Sequence, residues 1–336
     1  MKKLFFFLVM ALFVSFSLTA FAVTIHVPAD EPTIQAGINA AVFGDLVLVD
    51  PGIYVENIVF KGKRITVRSV EGAEATIIDG DSAGSVVSMN FGESRRSVLD
   101  GFTIRNGYAY NGGGIYCGFS SPTISNCWIV GNAAEMCGGG IFCIAALPKI
   151  ENCVLWDNDG VGGGICGITS SPQISNSIVR YNMRGAMYFC LTSTPRITNC
   201  TIVNNYGPWM AGGIHATADD LVLVTNSILW GNSTPHEDSP EVWGLVVSFF
   251  CDIEGGAESF FPPWNPIVFW LFGNLDEDPR FIDAWDFHLD EGSPCIDKGI
   301  DLPRYRDACF PPSHCTDRND MGAYGGPGAC GWLGTN

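Results

Sequence analysis

Ser121-Pro-Thr-Ile-Ser-Asn-Cys127 decides the fold of this sequence, because four related segments follow it at nearly constant spacing. They are Leu147-Pro-Lys-Ile-Glu-Asn-Cys153, Ser171-Pro-Gln-Ile-Ser-Asn-Ser177, Thr194-Pro-Arg-Ile-Thr-Asn-Cys200 and Leu221-Val-Leu-Val-Thr-Asn-Ser227. Their asparagines are separated by 26, 24, 23 and 27 residues. A self-similar period of this length indicates a solenoid, in which each repeat forms one coil stacked on the next.

Two further elements keep the same period. A glycine triplet precedes isoleucine at 112–115, 138–141 and 162–165, and a further asparagine recurs at Asn132, Asn158, Asn182, Asn205 and Asn232. Three strands of ~5 residues plus turns fill each period and leave no room for a helix. The pattern predicts an all-β, three-sided, right-handed parallel β-helix with coils of about 25 residues. A leucine-rich repeat, the alternative at this period, needs leucines at fixed offsets and one strand per repeat.

Stacking explains why particular residue types recur. Coils about 4.8 Å apart bring equivalent positions into columns, so asparagines can bond to one another while isoleucines fill the interior. Cysteines fall into two such columns, Cys127, Cys153 and Cys200 in one and Cys117, Cys143 and Cys190 in the other. We expect buried free thiols there, with disulfides between coils as the alternative. Cysteines in a line do not surround a metal ion tetrahedrally.

The sequence divides into three regions. Residues 1–22 begin with two lysines, continue with an apolar stretch and end in Ala20-Phe21-Ala22, which predicts a cleaved secretory signal peptide, with a retained anchor as the alternative. Residues 23–232 are expected to form the β-helix, with a short helix within 33–42 capping its first coil. Residues 233–336 are expected to form the last irregular coils and a C-terminal module. Beyond residue 22, no apolar run is long enough to span a membrane.

The composition limits the partners of the protein. Eighteen Lys and Arg against 35 Asp and Glu give a formal net charge of −17 at pH 7, so we expect no binding to nucleic acid. A polyanionic sugar chain would need a local basic site or a bridging cation. The 13 cysteines suit an exported protein. We therefore expect a secreted or cell-surface protein, including the periplasm or the exterior of an outer membrane, and the oligomeric state is left open.

Two stretches resemble known β-helix proteins. Pro32-Thr-Ile-Gln-Ala-Gly-Ile-Asn-Ala-Ala41, followed by Asp50-Pro-Gly-Ile-Tyr-Val-Glu-Asn57, is similar to the opening of pectin-lyase-like proteins, pectin methylesterases included. The Ser-Pro-x-Ile-Ser-Asn-Cys copies resemble bacterial right-handed β-helix repeats. The resemblance implies the fold and an exported bacterial protein. It implies no catalytic residue, because neither the methylesterase glutamines and aspartates nor the calcium-binding acids of pectate lyases have a matching motif.

The C-terminal sequence resembles a module that is often attached to such helices in exported bacterial proteins. The similar stretches are Asp278–Phe281, Phe287–Leu289, Gly292–Gly299 and Asp320–Gly326. Four cysteines lie here outside the repeats, at Cys295, Cys309, Cys315 and Cys330. One or two disulfides are expected among them, and the sequence leaves their pairing open.

One outer face of the predicted tube is rich in aromatic residues. The position after each interior residue of the third strand is occupied by Val130, Trp156, Arg180, Val203 and Trp230, and strand alternation points it outwards. With Asp157 and Tyr181 beside them, Trp156, Arg180 and Trp230 would bind a saccharide, because rings stack on sugars while polar groups hold hydroxyls. The alternative is that the aromatic-rich segment 242–272 covers this face.

Weaker candidates for chemistry lie nearby. Asp157 and Asp159 could give oxygen ligands to Ca²⁺, although turns of this composition also form without metal. Arg180 and Arg184 could supply the base of a lyase, or they could be solvated charges or ion-pair partners. His215, close to two aspartates at 219 and 220, could act in acid–base catalysis or be structural.

Three functions remain open at this point. The aromatic face favours non-catalytic binding of a polysaccharide or a cell-surface glycan, with no cofactor. The fold is equally compatible with a polysaccharide lyase or a glycoside hydrolase, but a fold does not determine a function. A structural or adhesin stalk is the third possibility. What surrounds Trp156 and Arg180 in the folded chain distinguishes these functions.

Overall fold

The chain forms a parallel β-solenoid. The computed structural model describes residues 22–209, 211–235, 241–261, 269–283, 285, 287–308 and 316–329. About nine turns build three main sheets, named A, B and C, in which each strand pairs in parallel with the equivalent strand of the next coil. The described residues also contain the α-helix Ile34–Ala40 and the 3-10 helices Gly256–Ser259 and Pro303–Tyr305. The predicted three-sided β-helix is confirmed.

Each coil contributes strands to the sheets in a fixed order. Sheet A consists of Thr24–Val27, Leu46–Val49, Thr66–Ser69, Val98–Asp100, Thr123–Ser125, Lys149–Glu151, Gln173–Ser175, Arg196–Thr198, Val222–Thr225, Val246–Phe249 and Phe269–Trp270. Sheet B consists of Gly52–Val55, Thr76–Asp79, Thr103–Arg105, Trp128–Val130, Val154–Trp156, Ile178–Arg180, Thr201–Val203, Ile228–Trp230 and Asp252–Ile253. Sheet C consists of Ile58–Val59, Val87–Met89, Ile115–Gly118, Ile141–Ile144, Ile165–Ile168, Met187–Cys190, Ile214–Ala216, Val242–Trp243 and Phe260–Phe261. A short sheet D consists of Tyr108–Ala109, Ala133–Cys137 and Asp159–Val161.

The recurring Ser-Pro-x-Ile-Ser-Asn motif forms a strand of sheet A and the sharp turn into sheet B. Its isoleucines stack in register inside the tube, Ile124 on Ile150 and Ile174 on Ile197, and they are buried. The asparagines that end the motif have left-handed backbone, with φ between 46° and 54°, at Asn126, Asn152, Asn176, Asn199 and Asn226. Asparagine tolerates this region better than other residues with a Cβ atom. The turn therefore explains why this asparagine recurs.

A second column of asparagines forms a continuous hydrogen-bonded ladder inside the wall of the tube. Its members are Asn132, Asn158, Asn182, Asn205 and Asn232, and all are buried. The side-chain Nδ2 of each donates to Oδ1 of the next at 2.8–3.0 Å. The backbone N–H of each donates to the same oxygen at 2.9–3.1 Å. These bonds satisfy polar groups that burial would otherwise leave unpaired.

Glu241 ends this asparagine ladder. Its two carboxyl oxygens accept from the backbone N–H of Asn232 at 3.0 Å and from Nδ2 of Asn232 at 2.6 Å. It thus supplies the acceptors that the next asparagine would have provided. Burial raises the pKa of Glu241 well above its usual value, while the two bonds from Asn232 oppose that change.

The helix Ile34–Ala40 covers the first coil. Oγ1 of Thr33 accepts from the backbone N–H of Ala36 at 3.0 Å, and the carboxylate of Glu56 accepts from the first two helical N–H groups at 2.9 and 3.0 Å. At the other end, Nζ of Lys63 donates to the carbonyls of Ile38, Asn39 and Ala41, each at 2.7 Å. Both ends of the predicted capping helix are therefore satisfied by side chains from the next coil.

The cysteine columns are filled with free thiols. All ten cysteines that the structure describes are unbridged. Cys153 and Cys200 are buried in the predicted column and donate to the carbonyl two residues before them, as the hydroxyl of Ser177 does. The second column is wrong at one member, because the register aligns Cys117 and Cys143 with Gly167 and Phe189, not with Cys190. Cys190 pairs with Ile168, one position further along the strand.

Some predictions fall outside the described residues. The predicted signal peptide, except its last residue, and the cysteines at 309, 315 and 330 belong to this group. Cys295 is described, and its thiol donates to Oδ2 of Asp252 at 3.1 Å instead of forming a disulfide. Within the described residues, no helix has the length and apolar character needed to cross a bilayer.

Replacing Asn182 by alanine should cost about 2–4 kcal/mol of the free energy of unfolding, because the buried N–H groups of Asn158 lose their acceptor. Denaturant unfolding measures the loss. Asn57→Ala is the control, since this exposed side chain makes one bond, to the carbonyl of Ser85, and its removal should cost about 1 kcal/mol or less. Equal losses in the two variants would contradict a stabilising ladder.

Candidate active or binding site

The described residues between 278 and 329, called the C-terminal module from here on, pack against the outer face of sheet B. Phe287 and Ala323 are buried there against Val154, Ile178 and Val203. A second apolar cluster joins the module to the next coil through Leu289, Cys295, Ile296, Met321 and Ile228. The expectation that segment 242–272 covers this face is therefore wrong. The described residues of that segment, 242–261 and 269–272, continue the solenoid, because their apolar runs keep the strand register of the preceding coils.

The asparagines of the left-handed turns form an outer column, and its last three members, Asn176, Asn199 and Asn226, hold the module in place. Nδ2 of Asn176 donates to the carbonyls of Ala323 and Gly325 at 3.1 and 2.6 Å. Nδ2 of Asn199 donates to Oδ1 of Asn319 and to the carbonyl of Asp320, both at 3.0 Å. Oδ1 of Asn226 accepts from the backbone of Ile300 at 2.9 Å. The column thus bonds to the module as well as from coil to coil, since Nδ2 of Asn226 also donates to Oδ1 of Asn199 at 3.5 Å.

Glycines let the module backbone lie directly on the coils. A Cβ on Gly322, whose φ is +96°, would meet Oγ1 of Thr201 and Cδ1 of Ile228 at 2.9 Å. A Cβ on Gly328 would come within 2.4 Å of Oδ1 of Asn176. Close approach of two backbones is a common reason for glycine. The glycine-rich stretch from 322 to 328 is therefore part of the seam between module and solenoid.

An aromatic cleft opens at one edge of this seam. It has a volume of about 210 Å³. Its walls come from both parts of the chain, with Trp128, Val154, Trp156, Ile178 and Arg180 from sheet B and Trp285, Phe287 and Tyr324 from the module. Trp128 and Trp156 meet edge to face, with ring centroids 5.7 Å apart. We name this site the seam cleft.

Among the described residues, Arg180 is the one charged residue that lines the seam cleft. Its guanidinium carbon lies 5.5–5.8 Å from the ring centroids of Trp156, Tyr181, Trp285 and Phe287. Its Nη1 donates to the carbonyl of Trp285 at 3.4 Å. Burial lowers its pKa, but arginine starts so high that it stays charged at neutral pH. The rings thus enclose a cation whose remaining N–H groups can reach a ligand.

The other predicted ligand residues surround Arg180 to different degrees. Tyr181 packs on Trp285 at 5.4 Å, and its hydroxyl accepts from Nδ2 of Asn204 at 3.2 Å. Trp230 packs against both apolar clusters beneath the module, outside the lining of the cleft. Asp157 is exposed in a left-handed turn with φ 55°. The structure therefore brings Trp156, Arg180 and Tyr181 together, and the binding role of all five stays a prediction.

Arg184 joins two strands of the short sheet D, Ala133–Cys137 and Asp159–Val161. Its Nε lies 2.7 Å from Oδ1 of Asp159, and its Nη2 donates to the carbonyl of Ala134 at 2.8 Å. These contacts account for the arginine without a ligand. Within the part of the chain that the structure describes, no three His, Cys, Asp or Glu side chains are grouped for a metal ion. A calcium ion on Asp157 and Asp159 stays a prediction.

His215 lies on a different face of the solenoid, in an aromatic column outside sheet C. It stacks between Tyr188, at 5.3 Å and 24°, and Trp243, at 5.5 Å and 16°. Burial lowers its pKa to about 4. The carboxylate of nearby Asp220 accepts from the backbone of Ser193 and from the backbone and hydroxyl of Thr217. The geometry suits a neutral stacked ring.

The sequence predicted two of the eight described residues that line the seam cleft, Trp156 and Arg180. Trp128 precedes the interior residue Ile129 in its strand, whereas the predicted outer column contains the residue after it, Val130. Strand alternation points both flanking residues outwards, so the signal was present. Trp285, Phe287 and Tyr324 belong to the non-repetitive module, for which the sequence has no register. Composition alone could not place them on sheet B.

The comparison with protein families agrees with this architecture. The right-handed β-helix region family matches residues 51–229, which is more than half of the chain. The chain therefore belongs to the right-handed β-helix family. No curated protein matches its sequence.

Solved structures of similar shape include three pectin-active proteins. Pectin methylesterase from Aspergillus niger in deglycosylated form shares 13% identity over 73% of this chain and 91% of its own, with a TM-score of 0.48. Pectin methylesterase from carrot shares 13% over 71% and 85%, with a TM-score of 0.47. Pectate lyase Pel9A shares 14% over 86% and 90%, with a TM-score of 0.44.

Replacing Asn199 by alanine should loosen the C-terminal module, because its Nδ2 donates to residues of that module. We expect hydrogen exchange in residues 319–326 to quicken by roughly tenfold or more, the equivalent of about 1.4 kcal/mol. Asn152→Ala is the matched control, since Asn152 has the same left-handed backbone but bonds to Asn126. The docking role fails if both variants change exchange in the module equally.

Replacing His215 by phenylalanine should reduce the acid sensitivity of folding. The unfolded chain binds a proton at this histidine near pH 6.5, whereas the folded chain binds it near pH 4. Wild-type stability from this group is therefore present above pH 6.5 and lost as pH falls towards 4. We expect the variant to gain about 2 kcal/mol relative to wild type between pH 7 and pH 4. Parallel stability curves in denaturant titrations would contradict a buried neutral ring.

Proposed function

We propose that this chain is an exported, non-catalytic protein that binds a polysaccharide or cell-surface glycan in the seam cleft. The observation that carries the proposal is the Arg180 guanidinium held among aromatic rings at the edge of an open cleft. Export is supported by the signal-like sequence of residues 1–22. The proposal uses no cofactor.

The lining of the cleft matches the chemistry of sugars. Carbohydrate rings have an apolar face that packs on an aromatic ring, and Trp128, Trp156 and Trp285 offer such surfaces. The guanidinium of Arg180 has fixed N–H donors that can hold hydroxyl, carboxylate or sulfate oxygens. At about 210 Å³, the cleft is smaller than the roughly 300–1,000 Å³ of sites that enclose drug-sized ligands. It would therefore hold one sugar unit of a longer chain.

The same lining argues for binding without catalysis. A glycosidase needs two carboxyl groups on either side of the glycosidic bond, and the lining residues that the structure describes include neither a carboxyl group nor a histidine. A lyase that uses arginine as its base needs that arginine neutral for an instant. Burial lowers the pKa of Arg180, but the four surrounding rings favour the charged guanidinium, and arginine starts so high that it stays charged at neutral pH. The lyase or glycoside hydrolase alternative would need a site elsewhere on the solenoid.

Replacing Trp156 by alanine should weaken saccharide binding by roughly tenfold or more, because a stacked ring contributes about 1 kcal/mol or more beyond its buried area. A glycan array identifies the saccharide, and calorimetric titration then measures the dissociation constants. Trp209→Ala is the control, since Trp209 is 73% exposed and does not line the cleft. The affinity of the Trp209→Ala variant for the saccharide should match that of the wild-type chain.

Two results would contradict the proposal. One is an array on which the intact chain binds no glycan. The other is the release of unsaturated or newly reducing sugar ends during prolonged incubation with a bound glycan, which would show catalysis. Assays with and without calcium also test the predicted metal site at Asp157 and Asp159, because binding through the seam cleft alone should not depend on calcium.

A further inference from the structure

Cys137 and Cys166 lie together on the outside of the solenoid. Cys137 ends the strand Ala133–Cys137 of sheet D, and Cys166 lies in the strand Ile165–Ile168 of sheet C. Both side chains pack in one small cluster with Phe142, whose edge is formed by Tyr116 and Tyr188. Two cysteines from different elements thus share one cluster beside a partly open aromatic surface.

The pair Cys137 and Cys166 differs from two other pairs of neighbouring cysteines. Cys127 and Cys153, like Cys117 and Cys143, occupy equivalent positions of adjacent coils and are fully buried inside the tube. Side chains at equivalent positions of parallel strands run side by side about 4.8 Å apart. A disulfide needs Cβ atoms about 3.8 Å apart with converging directions. Cys137 and Cys166 come from two different sheets, so this constraint of parallel side chains does not apply to them.

The surroundings of Cys137 favour its thiolate. The hydrogen bond from Cys166 and the nearby guanidinium of Arg184 lower the pKa of Cys137, against the opposing effect of burial. Burial and the same bond raise the pKa of Cys166 well above its usual value. Cys137 is 7% exposed, whereas Cys127, Cys143 and Cys153 are at 0%. Cys137 is therefore more accessible than these fully buried thiols.

We propose that Cys137 and Cys166 are a redox modification site, which a low-molecular-weight disulfide converts into an intrachain disulfide between sheet D and sheet C. The thiolate of Cys137 attacks one sulfur of the reagent, whose S–S bond breaks and releases one thiolate. A mixed disulfide remains on Cys137. Cys166 loses its proton and attacks the Cys137 sulfur, which releases the second thiol. The two cysteines lose two electrons and two protons, and the reagent is reduced to two thiols.

The bond would add a second covalent link between sheet D and sheet C, whose strands Ala133–Cys137 and Ile141–Ile144 are separated by three residues along the chain. Sheet D has three strands, and its pairing shifts register between Ala133 and Cys137. Cys137 contributes main-chain bonds to Asn111 and Gly112 there, and no ladder of asparagines crosses from described residues of sheet D to sheet C. A covalent link at this place would anchor the end of the longest strand of sheet D beside Tyr116 and Tyr188.

The test is oxidation of the intact folded chain with oxidised glutathione, followed by alkylation and peptide mass mapping. We expect one cross-linked peptide pair, Cys137 with Cys166, that dithiothreitol reverses. Cys137→Ser should abolish it, and Cys127→Ser should leave it unchanged. Arg184→Met should slow the reaction about three- to tenfold at neutral pH by removing a positive charge from Cys137, whereas Arg196→Met should not change the rate.

Three results would overturn the proposal. The first is a stable glutathione adduct on Cys137 without a link to Cys166. The second is a cross-link between Cys127 and Cys153, or between Cys117 and Cys143, formed at least as fast. The third is the absence of any cross-link after all exposed thiols of the folded chain have reacted. Peptide mapping of the oxidised wild-type chain distinguishes these results. The test therefore depends neither on the folding of a variant nor on saccharide binding.

Discussion

Stacking in register is the constraint on which the rest of this structure depends. Each coil lies about 4.8 Å from the next, so a polar group buried in the wall can be satisfied by its copy in the adjacent coil. The ladder from Asn132 to Asn232 meets this need, because each side chain both accepts from one neighbour and donates to the other. Such a ladder has a direction, and its last member has donors left over. Carboxylates end two such runs. Glu241 accepts from Nδ2 of Asn232. In the other run the backbone N–H of Ser170 donates to the hydroxyl of Ser193, and the backbone N–H of Ser193 donates to Asp220. Part of the acidic character of the chain therefore has a structural cause.

The outer asparagine column shows a second use of the same residue. The left-handed turn needs asparagine for its backbone, and this leaves the amide free to bond in either direction. Asn152 bonds to its copy, Asn126, in the preceding coil. Asn176 and Asn199 bond to the C-terminal module instead. A position retained for the turn can thus hold a separate segment without any change in the repeat.

The parts of the structure that could be predicted from sequence are those that repeat. Periodic isoleucines, asparagines and glycines carry a register, and register is sufficient to place interior and exterior positions coil by coil. The error at Cys190 arose where the spacing of the coils shortens, so that counting from the preceding copy missed by one position. The error over segment 242–272 has another origin. An apolar run that forms a strand and one that packs on the outside of a sheet have similar compositions. Only the strand pairing shows that the described residues of this segment add coils, whereas Phe287 and Ala323 cover the outer face of sheet B.

A specific site on a solenoid needs a break in the repetition, and the seam cleft has one. Within the column Val130, Trp156, Arg180, Val203 and Trp230, one member is charged. A uniform column would offer the same weak contacts at every coil, and a ligand could slide along it. The module removes that freedom, since Trp285, Phe287 and Tyr324 close the wall around Arg180 alone. The periodic part of the chain thus supplies a base for the aromatic rings of sheet B, and in the proposed function the non-periodic part selects the coil at which a ligand would bind.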